Sequence, residues 1–157
     1  MAVLRKTYYA YLFIKCLLTL LILRIGNSKL ILVDFDFTLV NNHFDTERLE
    51  YKKEKLIFNS VVLQILEKKY DFFPVIFTAR SGRTIKYIKD YTEWKSYFNF
   101  ILCCGITHSK YSIAYFAASI FTSVIWIDDL SDVNFVTGKK VVYKDPKVIE
   151  NLCFIRW

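Results

Sequence analysis

Histidine and cysteine are sparse in this chain, and the few present fall at the wrong spacing for zinc. Neither His43 nor His108 stands at metal-ligand distance in sequence from Cys16, Cys103, Cys104 or Cys153, and no C-x-x-C occurs. The spacing therefore argues against a structural zinc site, and the adjacent pair Cys103-Cys104 does not look like a disulfide framework. Reduced, buried thiols are the expectation. Glycine and alanine are also scarce, while Lys, Ile, Phe and Tyr abound, a bias that AT-rich codons produce. Acidic residues are outnumbered 15 to 22 by Lys and Arg, giving a net charge of +7. That balance suits anionic partners or phosphorylated substrates, although the codon bias alone would generate it. Internal repeats, low-complexity tracts and a second globular domain are missing. With 54% hydrophobic and 24% charged residues the chain is not a disordered one, and 157 residues are enough for one domain with a real core.

What the chain does have is an apolar run that ends in carboxylates: Leu30-Ile31-Leu32-Val33-Asp34-Phe35-Asp36-Phe37-Thr38-Leu39-Val40. Aliphatic residues without alternation predict a strand buried on both faces, as at the centre of a parallel sheet. In an extended backbone Asp34 and Asp36 share a face about 7 Å apart. Two like charges that close require a cation, a shared proton or both.

Before this strand, residues 1–28 form a separate apolar segment. Arg5 and Lys6 precede a run over residues 8–23, and Arg24 follows it. The run is nearly long enough for a short membrane span, but Lys15 falls in its middle, where a charge costs roughly 2.5–3.5 kcal/mol. A signal peptide would leave almost no spacer before the first strand. A helix packed on the sheet or an interfacial anchor, with Lys15 snorkelling to water, is the favoured reading. A cytoplasmic location is favoured, with membrane association through residues 8–23 as the alternative.

The rest, residues 29–157, alternates strands and helices. A polar turn over 41–44 leads to a helix capped by Asp45 and running to about Lys69, with Leu49, Leu56, Ile57, Val61, Ile65 and Leu66 inward. Val75-Ile76-Phe77 is a second buried strand ending at Thr78-Ala79-Arg80, and a helix follows through about Tyr91. A third strand over 98–104 precedes a helix opening at Lys110, with Ile113, Ala114, Ala117 and Ile120 inward. Val124-Ile125-Trp126-Ile127 is a fourth strand, ending at Asp128-Asp129. A fifth is expected over 139–144, and Pro146 opens a final helix. This order predicts an α/β fold, a Rossmann-like open parallel sheet of about five strands flanked by helices, with the apolar N-terminal helix added.

Ligands of such sheets bind beyond the carboxyl ends of the strands. Three strands end in polar groups there: Asp34 and Asp36, then Thr78, then Asp128 and Asp129 with Asp132 beyond. Singly, a Thr or an Asp pair after a strand is usually a turn, and a lone Lys is usually solvated. Their order along the chain is the signal. So many carboxylates in one place imply a cation, and all-oxygen ligands favour Mg²⁺ before Ca²⁺. Lys110, at a helix start, adds the positive charge that a phosphoryl group needs.

These residues resemble the haloacid dehalogenase superfamily over roughly residues 29–144. Asp34-Phe35-Asp36-Phe37-Thr38 resembles its first motif, Phe77-Thr78 its second, Lys110 its third, and Ile127-Asp128-Asp129-Leu130-Ser131-Asp132 its fourth. The resemblance implies a Mg²⁺-dependent phosphatase. Asp34 would be the nucleophile and Asp36 the acid and base; Thr78 and Lys110 would hold the phosphoryl oxygens. Asp34, the backbone carbonyl of Asp36 and Asp128 would ligate the metal, with Asp129 or Asp132 in support. In that family the second aspartate separates phosphatases from ion pumps. The gaps of 44 residues from Asp34 to Thr78 and 32 from Thr78 to Lys110 leave no room for a cap domain. An open site implies a phosphate displayed on a larger molecule: a polynucleotide end, a phosphoprotein or a nucleotide, with the positive charge and Thr-Ala-Arg tilting towards nucleic acid. The alternative is an inactive scaffold that retains the fold.

Overall fold

The computed structural model describes residues 2–40, 58–80, 97–130 and 145–157. The turn over 41–44, the Asp45 cap, the helix over 82–91, the strand over 139–144 and Asp132 lie outside them. Five strands form one all-parallel sheet: β1 (Lys29–Val33), β2 (Phe73–Thr78), β3 (Ile101–Cys103), β4 (Ser123–Asp128) and β5 (Leu152–Arg156), in the order β3-β2-β1-β4-β5. Among the described residues the helices are α1 (Ala2–Gly26), α2 (Ser60–Lys68), α3 (Thr107–Ile120) and a single turn, α4 (Pro146–Ile149). The Rossmann-like α/β expectation therefore holds.

The unbroken apolar run of β1 has a simple cause, for both faces of this strand are covered. Leu30 and Leu32 turn to a core built with α1 and α3, where Cys16, Leu20, Ala114 and Phe121 pack against Trp126. Ile31 and Val33 turn to a second core closed by Val62 and Leu66 of α2, with Phe35 and Leu39. In β1, Val33 is paired with Ile76 on one side and Ile127 on the other, so all three central strands end nearly level.

Three expectations need correction. The helix expected from Asp45 to Lys69 is not continuous. Phe58 pairs with Val40 as an isolated antiparallel bridge, and Asn59 caps α2 by accepting from the Val61 and Val62 amides. α2 buries Val62 and Leu66 and leaves Val61 exposed. The final helix opened by Pro146 and capped by Asp145 lasts one turn, and the chain then enters β5, which pairs with β4 from Leu152 to Arg156. Finally, Cys153 lies exposed on that edge strand, while Cys16, Cys103 and Cys104 are buried; none is in a disulfide.

α1 packs on the sheet with Leu12, Cys16, Leu20 and Leu23 buried. It is also long and apolar enough to cross a membrane by length and composition alone.

Candidate functional site

The chain leaves β1 for β2 and β3 on one side, then returns to place β4 on the other, so the sheet's switch point lies between β1 and β4. Crevices at such points, beyond the carboxyl ends, are where open α/β sheets bind ligands. Asp34 and Asp128 stand there together.

Asp34 is one residue past β1, its amide donating to the Ile127 carbonyl at 2.9 Å. The strand does not continue to Asp36, as an extended reading would have it. The backbone turns back, with the Leu39 amide donating to the Asp34 carbonyl at 3.1 Å and the Val40 amide to that of Phe35 at 3.0 Å. Fully buried Phe35, Leu39 and Val40 pin this loop to the core, while Phe37 takes a φ of 57° and is exposed. A left-handed conformation in a bulky residue costs on the order of 1–3 kcal/mol and persists only where the surroundings impose it. Asn59 holds the loop from below, donating through Nδ2 to the Thr38 carbonyl at 3.1 Å.

Lys110 reaches this loop from the first turn of α3. Its ammonium is buried and donates to Asp34 Oδ1 at 2.5 Å and to Asp128 Oδ2 at 2.7 Å, with the Phe77 ring 5.5 Å away. Asp128 Oδ2 also accepts from Trp126 Nε1 at 3.0 Å, and its Oδ1 from the Leu130 amide at 3.3 Å. Asp34, Asp128 and Asp129 bring one carboxylate oxygen each within 4.8 Å of one another, two of the residues buried and Asp129 exposed. Burial raises the Asp34 pKa to about 7; Lys110 opposes this and the charges of Asp128 and Asp36 add to it. Burial also raises Asp129, with Asp128 contributing. For Lys110, burial pulls the pKa down, and the neighbouring Asp34 and Asp128 more than reverse that, leaving it raised.

Asp36 turns to a different cation. Arg80 Nε donates to its Oδ2 at 2.7 Å and Nη2 to its Oδ1 at 2.5 Å, a bidentate pair across the ends of β1 and β2. Thr78 is buried at the end of β2, and its hydroxyl accepts from the Arg80 amide at 3.2 Å. Among the described residues Asp34, Asp36, Thr78, Asp128 and Asp129 stand at or just beyond the carboxyl ends of β1, β2 and β4, and Lys110 reaches two of them from α3. Arg80 and Asn59 join them, of which only the Thr-Ala-Arg run gave a hint.

Four carboxylates meet two cations here, leaving two negative charges uncompensated among the described residues when all are ionised. Three converging oxygens with that charge fit a divalent cation bound through oxygen. Fold and site define an open, Rossmann-like α/β protein with an acidic, metal-competent centre at the carboxyl edge of its sheet. No protein-family model, curated protein or solved structure matches the chain.

Proposed function

We propose that the protein is a Mg²⁺-dependent phosphomonoester hydrolase of the haloacid dehalogenase type, working through an aspartyl phosphate on Asp34. The observation that carries this reading is the triad of Asp34, Lys110 and Asp128 at the switch point, with Asp36 held separately by Arg80. Asp34, Asp128 and Asp129 would hold the metal, which supplies charge neutralisation for the phosphoryl group when bound.

In the first step an Asp34 oxygen bonds to phosphorus as the ester P–O bond breaks, and Asp36 gives its proton to the departing alkoxide. In the second, water bonds to phosphorus, Asp36 takes its proton, and the bond to Asp34 breaks to release phosphate. A carboxylate nucleophile splits one slow displacement into two easier ones. Thr78 and Lys110 hold the phosphoryl oxygens. Arg80 occupies both oxygens of Asp36 in this structure. An arriving phosphoryl group competes for that guanidinium and leaves one Asp36 oxygen to carry the proton. Phe37, beside Asp36 on the loop after β1, is exposed, which suits a phosphate displayed on a polynucleotide end, a phosphoprotein or a nucleotide.

The test is Mg²⁺-dependent hydrolysis of an aryl phosphate. Asp34→Asn is expected to reduce it to background and Asp36→Asn to lower it about 10²–10⁴-fold. Equal rates for wild type and Asp34→Asn would sink the proposal. The bidentate lock on Asp36 favours one rival, a scaffold that binds metal and phosphate without turnover. Mg²⁺ binding with no hydrolysis across oligonucleotides phosphorylated at either end, phosphopeptides and nucleotides would support that rival.

A further inference from the structure

α1 has two apolar faces, and the sheet covers one of them. Leu12, Cys16, Leu20 and Leu23 are buried against the core. On the opposite side Val3, Tyr11, Ile14, Leu18, Leu21 and Ile25 are all exposed, Val3 by 76% and Ile25 by 87%. At roughly 100° per residue these six fall in one stripe about 33 Å long. Thr7 is the polar residue within it, and its hydroxyl is already used, donating to the Val3 carbonyl at 3.0 Å. Such a length of exposed apolar surface marks an interaction site.

We propose that this face docks the molecule, lying flat, on an anionic bilayer. Charge selects the partner. Ala2–Gly26 carries Arg5, Lys6, Lys15 and Arg24 and no Asp or Glu. Lys6 and Lys15 are exposed and stand roughly 80–100° to either side of the stripe, one on each flank. An apolar stripe between basic flanks matches an interfacial helix, with the side chains of the stripe among acyl chains and the ammonium groups at headgroup level. Tyr11 within the stripe and Tyr8 near the same end suit the interfacial zone. A second copy would set the same cations against each other with no acid on the helix to answer them, whereas anionic lipid supplies the opposite charge.

The packing also selects docking over spanning. To cross a bilayer α1 would have to leave the sheet, uncovering Leu30, Leu102, Ala114 and Phe121 of the core it closes. It would also carry Lys15 to mid-membrane. Lying flat, it keeps both faces apolar-covered and lets Lys15 reach the headgroups. Tyr9 rests beside Gly105 at the carboxyl edge of the sheet, and Arg24 donates to the Ile120 carbonyl at 2.6 Å at the other edge. The helix therefore lies along the sheet, and its Tyr9 end stands at the same carboxyl edge as the buried Asp34–Lys110–Asp128 centre.

Vesicle flotation of the full chain tests this with phosphatidylcholine vesicles, with and without about a third phosphatidylserine. The expected result is binding at least about tenfold stronger to the anionic vesicles, falling steeply as salt rises. This comparison depends on no variant. Ile14→Asp with Leu18→Asp alters exposed positions only and should lose binding about tenfold or more while the thermal midpoint holds; Lys6→Glu with Lys15→Glu should do the same. Equal binding to neutral vesicles, resistance to alkaline extraction, or a stable dimer that ignores vesicles would each overturn the proposal.

Discussion

A lysine in the first turn of a helix meets an unfavourable backbone dipole, and burying it adds a desolvation cost. Lys110 accepts both because it neutralises Asp34 and Asp128 at 2.5 and 2.7 Å. Removing it strands two carboxylates in the interior. Lys110→Met is expected to destabilise the metal-free protein by about 3–5 kcal/mol, the cost of breaking a buried pair from one side. Denaturant titration would show it, and Mg²⁺ should restore more stability to the variant than to wild type. A change within about 0.5 kcal/mol, the range of a neutral surface substitution, would refute the assignment. Asp34, Thr78, Lys110 and Asp128 were legible because each follows or opens an element whose apolar pattern is strong. Arg80 was not legible as the partner of Asp36, since that pairing depends on β2 lying beside β1, which spacing alone does not fix. Asn59 was hidden for a similar reason: its two jobs, capping α2 and holding the Thr38 carbonyl, join segments 21 positions apart.

At the scale of elements, the contact between α1 and the loop after β3 is a close one. Gly105 has a φ of 79°, and a Cβ there would come within 2.7 Å of Tyr9 Cδ1 and 2.9 Å of Leu12 Cδ1. Gly105→Ala combines left-handed strain with overpacking, and the second effect alone typically costs about 1–3 kcal/mol. The loss should localise to α1, read as faster amide exchange at Leu12 and Cys16 than at β1. Uniform exchange, or an unchanged midpoint, would show that the helix does not depend on this contact. The central strands were readable because burial on both faces removes alternation, a pattern that Leu30–Val33 and Val124–Ile127 share. The start of α2 was misplaced because the apolar and charged residues before it also fit a helical period in the sequence, and only Asn59 marks the cap. β5 escaped because it is half-buried, with the pattern of an edge strand rather than a central one.

For the whole molecule, a metal held by the acidic cluster would compete with the Asp34 proton for one centre, and this would set its pH response. The Asp34 carboxyl is raised by burial from an ordinary 3.8 to about 7. Between those values the folded chain holds a proton that the unfolded chain has released, so this group makes stability fall as pH rises from about 4 to about 7. Asp129, also raised, acts in the same direction. Lys110 is raised above 10.5, so its contribution is fully present throughout that window and is lost only at more alkaline pH. Asp71 is lowered by its hydrogen bond from Lys29, and its contribution is lost only below 3.8. The thermal midpoint of the metal-free protein should therefore decline from pH 5 to about pH 7 and level off above it. A divalent cation needs Asp34 ionised, so its apparent affinity should rise about tenfold between pH 6 and pH 8, in step with the ionised fraction. Thermal shifts with and without saturating Mg²⁺ at the two pH values measure this directly. Asp34→Asn should abolish both the decline due to this group and the pH dependence of the Mg²⁺ shift. A Mg²⁺ shift equal at both values in wild type would mean that the cation binds without displacing the Asp34 proton, and the acidic cluster would then not be its site.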